Sequence, residues 1–188
     1  MNQDIKSLLE FWFSSSTPGE MNTHRKEWWV KDPEFDRRIQ DEFSPLFEKA
    51  DAGELDDWKE TPLGCVALAL LLDQFPRNMF RGKARAFASD EKARALTRHV
   101  LDKGFDKNLP IGARLFLYLP LEHSEDLQDQ NDCIKLVESM GDEGYLDFAK
   151  KHQVIIKRFG RFPHRNETLG RTSTNEEVAF LSEPGSSF

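Results

Sequence analysis

Three short stretches hold the side chains best suited to chemistry. "LPLEHSED" (119–126) sets Glu122 beside His123. "FGRFPHRN" (159–166) places Arg161, His164, Arg165 and Asn166 among Phe, Gly and Pro, with Arg171 five residues on. "DQFPRN" (73–78) carries Asp73, Arg77 and Asn78. Imidazole titrates near neutrality and an adjacent carboxylate tunes it, so Glu122, His123 and His164 are candidates for general acid/base work. Arg77, Asn78, Arg161, Arg165, Asn166 and Arg171 could instead converge as donors on a phosphate or carboxylate. An arginine held near apolar surface must otherwise be paired, because its desolvation costs several kcal/mol. Asp73 and Glu122 are the expected structural partners. Three readings are open: a binding module for a small anionic ligand, an acid/base enzyme, or a helical scaffold that binds a peptide and uses these residues structurally.

Other chemistry has little support. The chain has no phosphate-binding loop, dinucleotide fingerprint, H-E-x-x-H, C-x-x-C or G-x-S-x-G. His123, His164 and His152 with nearby carboxylates could ligate an ion, but their spacing matches no known metal pattern and lacks paired Glu-x-x-His. Neither a metal nor a cofactor is expected. Ser124 reads as the cap of the next helix, with Glu125 and Asp126 in its first turn.

The elements that must position these residues read as helices throughout. Asp32 and Pro33 open a helix with Phe35, Ile39 and Phe43 as its core stripe. Thr61 and Pro62 open the run from Pro62 to Phe75, apolar on every side and therefore expected to be buried on every side. Ser89 caps a helix that ends at Gly104, and a short apolar helix stops at Pro120. Two more helices close at Gly141 and Gly160. A last one starts with a capping box at Ser173/Glu176 or Thr174/Glu177. The expectation is a single all-α domain, 1–188, of about eight antiparallel helices around 62–75. "QFPRNMFRG" (74–82) faintly echoes "RFPHRNETLGR" (161–171), and no regular repeat is present.

Composition bounds the rest. The 188 residues are 38% hydrophobic, with 15 Phe and 4 Trp, which is enough for a core despite 31% charged residues. A net charge of −7 argues against nucleic acid as a partner. The charge is unevenly spread: 150–171 holds seven Lys/Arg against one Glu, and 122–147 nine acids against one Lys. The expectation is that these neighbours neutralise each other. The longest apolar run, Val66 to Leu72, is far short of the ~20 residues that span a bilayer, so no membrane is expected as a partner. Two cysteines in apolar and helical settings suggest free thiols and a cytoplasmic location. Trp28, Trp29 and Trp58 could close the core or line a groove, and Phe188 could dock on the body or stay free. Composition does not reach the oligomeric state.

"WWVKDPEFDRRI", "LALLLDQFPRNMFRG", "LPLEHSEDL" and "FGRFPHRNETLGRTSTNEEVAFL", in this order, resemble domain-of-unknown-function family 924, small and mostly bacterial proteins. The resemblance runs over nearly the whole chain. It implies an all-helical, tetratricopeptide-repeat-like fold and supplies no established activity. It maps signature segments onto Asp73, Gln74, Arg77 and Asn78, onto Glu122, His123, Ser124 and Glu125, and onto Arg161, His164, Arg165, Asn166 and Arg171.

Overall fold

The computed structural model describes residues 1–21 and 24–186; Phe188 lies outside them. The described residues are all-helical and contain no strand. The chain gathers into two compact units, Met1–Arg81 with Arg85–Pro120, and Gly82–Ala84 with the residues from Leu121 onward.

The first unit holds α1 (Gln3–Phe13), α2 (Pro33–Asp51), α3 (Pro62–Ala69), α4 (Phe75–Met79), α5 (Asp90–Lys103) and most of α6 (Ile111–Glu122). Asp32 caps α2 as expected, accepting from the N–H groups of Glu34 and Phe35, and Phe35, Ile39 and Phe43 are buried. Thr61 caps α3 through the Gly64 N–H. All residues from Gly64 to Pro76 are buried. Gly64 is required here: a Cβ at this position would sit 2.1 Å from the Trp58 carbonyl oxygen. Trp58 itself is core. Trp12 and Trp28 stack with centroids 5.9 Å apart, while Trp29 is 45% exposed.

Between α3 and α4 the helix does not end; it widens into a π-turn over Leu70–Gln74. Pro76 comes next and brings no N–H, so nearby carbonyls need other donors. The Ser89 hydroxyl donates to the Leu72 carbonyl at 2.7 Å, and Arg77 Nη1 to the Asp73 carbonyl at 2.7 Å. Ser89 therefore stands at the N-cap of α5 without capping it by its side chain. The expected cap is spent on the π-turn.

The second unit holds α7 (Leu127–Glu138), α8 (Glu143–Phe159) and α9 (Asn175–Leu181), with α7 packed on α8. Ile155, Ile156 and Phe162 form a core cluster, flanked by Phe159 and Phe180. Gly160, at φ +68°, closes α8 in the left-handed conformation and turns the chain into "RFPHRN". The last helix opens with the capping box of Thr174 and Glu177.

Candidate functional site

The corner from Glu122 to Asp129 is built differently from the sequence expectation. α6 runs through Pro120 to Glu122 instead of stopping. Pro120 withholds an N–H from the carbonyl one turn back, and the last carbonyls of the helix need outside partners as well. The fully buried Gln130 side chain supplies one, its amide donating to the carbonyls of Glu122 at 2.5 Å and Ser124 at 2.8 Å. The cap of α7 is Asp126, not Ser124. Ser124 donates instead to Asp129 Oδ2 at 2.6 Å, so Glu125 is not part of a first helical turn.

Glu125 is a site residue that the capping interpretation concealed. Its carboxylate takes a two-pronged bond from Arg171, at 2.6 and 2.9 Å, and accepts the Phe162 N–H at 2.8 Å. Burial works to raise the Glu125 carboxyl, but Arg171 and the Phe162 amide hold it below its ordinary value. Arg161 forks onto Glu177 at 2.6 and 2.8 Å, and Arg158 reaches Glu176 at 2.9 Å. Arg161 and the Thr174 N–H hold the Glu177 carboxyl at about 2. Asn166 donates to the Ser173 hydroxyl at 3.0 Å and accepts from Arg171 Nε at 2.9 Å.

The expected partners are thereby corrected. Arg161 pairs with Glu177 and Arg171 with Glu125, because the chain after Gly160 folds back along the start of α9 and along Glu125. Asp73 belongs to Arg77 of its own unit. Its side chain is fully buried, accepts from Gln74 at 2.5 Å and forms an ion pair with Arg77 at 3.1 Å, while Arg77 also forks onto Asp90 at 2.9 and 3.1 Å. Burial alone would lower the Arg77 guanidinium; Asp73 and Asp90 raise it. Asn78 donates to Asp36 at 2.7 Å. Arg77 and Asn78 thus lie in the first unit and the other four expected donors in the second. Of the basic segment 150–171, Arg171 meets Glu125 and Lys151 meets Asp147, both within 122–147 as expected, while Arg158 and Arg161 meet Glu176 and Glu177 of the last helix.

Inside the Arg171 and Arg161 forks lies a group of imidazoles. His152, on α8, is buried, and its Nδ1 is 2.9 Å from the Phe148 carbonyl and 3.4 Å from Glu122 Oε1. The ring centroids of His123 and His152 are 6.2 Å apart. The Phe162 ring lies 5.7 Å from His152 and 5.6 Å from His164. Arg165 is buried with its guanidinium 4.5 Å over the same phenyl ring. Burial, then the charge of His123, pushes His152 down to about 3. Burial, then Arg165, pushes His164 down to about 4. Both rings are neutral at pH 7. The structure therefore does gather Glu122, His123, His164 and Arg165 in one unit, and adds His152 to them.

Two cavities lie elsewhere among the described residues. An open groove of about 720 Å³ in the first unit is lined by Ile5, Trp58, Leu63, Phe105 and Leu109, and a smaller one of about 370 Å³ in the second by Lys150, Lys151, Val154 and Phe180.

Comparison with known proteins agrees with this architecture. The signature of a family described as bacterial proteins of unknown function (DUF924) matches residues 8–185. A solved structure of a protein of unknown function from Agrobacterium tumefaciens is 38% identical with a TM-score of 0.85, over 95% of this chain and 96% of that one. No curated protein matches. Among the described residues, no helix is long and apolar enough to cross a membrane. The chain belongs to the DUF924 family of bacterial proteins.

Proposed function

We infer that the chain is a binding module for a small anion, with Arg165, His123 and His164 as the contact residues. The observation behind this reading is the buried Arg165, stacked on Phe162 beside His164, whose ring its charge helps keep neutral. Neutral imidazoles donate hydrogen bonds without adding a charge, and a guanidinium fixed on an aromatic face recognises a planar or tetrahedral oxyanion well. Arg161, Arg171 and Asn166 bond to Glu177, Glu125 and Ser173 and frame the group. Arg77 and Asn78 serve the first unit in the same way.

Acid/base catalysis by Glu122, His123 and His164 takes second place. An imidazole at about 4 is a weak base at neutral pH. The buried free cysteines suit a reducing, cytoplasmic setting.

Thermal shift tests the reading. The full chain, kept in chelator, is heated with inorganic phosphate, sulfate and small carboxylates. A ligand at ~100 times its dissociation constant adds about 2.7 kcal/mol, a rise of several degrees. The expected result is such a rise with at least one anion, lost in Arg165→Lys and kept in Arg77→Lys. Flat curves for all anions would overturn the reading and leave the arginines as a structural knot.

A further inference from the structure

We propose that Glu122, His123 and His152 form a binding site for one divalent transition-metal ion, zinc being the best fit. One ring nitrogen of each histidine and a carboxylate oxygen of Glu122 all lie within 4.8 Å of one another. Tetrahedral zinc holds its ligand atoms about 3.4 Å apart, given bonds of about 2.1 Å. A contraction of up to about 1.4 Å would close the set. His123, half-buried, is the ligand able to move, and it gives an ion a path from solvent.

The surroundings resemble those of metal ligands. Nδ1 of His152 lies 2.9 Å from the Phe148 carbonyl, which fixes the ring. With Nδ1 on that carbonyl, Nε2 is the nitrogen that would ligate the ion. A histidine ligand commonly has its second nitrogen fixed by a carbonyl or carboxylate in this manner. Gln130 bonds to the carbonyls of Glu122 and Ser124 and so holds the backbone on both sides of His123. Arg165 and His164 act electrostatically on His152 and oppose a cation; the Glu122 charge offsets part of this. Two histidines and one carboxylate leave coordination positions open, the pattern of sites where a metal meets water or substrate. The three residues are not spaced as a motif, because His152 arrives from α8, thirty residues away.

The inference shares His123 with the anion reading but rests on Glu122 and His152, and it is tested in anion-free buffer. The chelator-stripped full chain is titrated with zinc by calorimetry, and with cobalt by visible absorption. The expected result is uptake of one ion per chain, weakened by more than about 100-fold in His123→Asn and in Glu122→Gln, beyond what loss of an outer-shell contact costs. His99→Gln, in the other unit, should bind as the natural chain does. Circular dichroism confirms that each variant is folded; because His123 is half-buried, its replacement should leave the fold intact. No uptake by the natural chain, or equal uptake by folded His123→Asn, overturns the proposal.

Discussion

At the scale of single residues, the arginines divide by what they touch. Arg77 neutralises a fully buried Asp73, and removing one partner of such a pair leaves a charge stranded. Arg77→Met should therefore lower unfolding free energy by about 3–5 kcal/mol, measured in urea. A loss below 1 kcal/mol would show that Asp73 is satisfied without it. Glu177 gives a pH-dependent counterpart. Arg161, the Thr174 amide and Asn166 face it, with the Arg158–Glu176 pair alongside. Its carboxyl lies at about 2 in the fold against 4.5 unperturbed, so as pH falls the unfolded chain takes up the proton first. Its contribution is complete above about 4.5 and drains away between 4.5 and 2. Urea midpoints between pH 7 and 2 should fall more steeply for the natural chain than for Glu177→Gln, with Glu177→Gln the less stable at pH 7. Parallel curves would contradict this.

At the scale of elements, α3 was the most legible, because the Thr61-Pro62 opening and an unbroken apolar run state both its start and its burial. The widened turn beyond its end was not legible. The π-turn at Leu70–Gln74 has no hydrophobic period of its own, and its upkeep comes from Ser89, which sequence alone assigns to capping. The candidate site shows the same limit. Glu122, His123 and His164 could be named from their types, but Glu125–Arg171 spans 46 positions and Glu177–Arg161 spans 16, so spacing could not pair them. The surplus of acids before α8 and of bases at its end was the available signal, and it showed only that such pairing must exist. Gly64 provides the element-scale test. Its missing Cβ lets the α3 start lie against the Trp58 carbonyl, so Gly64→Ala should cost at least about 2 kcal/mol. An unchanged urea midpoint would mean that the start of α3 can shift freely.

At the scale of the whole molecule, both cysteines report on opening. Cys65 and Cys133 are buried, and burial pushes the Cys65 thiol up to about 11. A thiol reagent should label neither in the native chain at pH 7 and both in urea, with native labelling tracking the unfolded fraction. Fast labelling of either under native conditions would contradict the packing. Arg165 and the imidazoles beside it are the groups through which we infer that the molecule meets an anion. Histidine-ring NMR of the full chain in chelator, titrated with inorganic phosphate, tests that claim most directly. The His123 and His164 signals should move together and saturate while those of His24 and His99 stay in place. Signals that stay fixed, or that all drift alike with added salt, would contradict it.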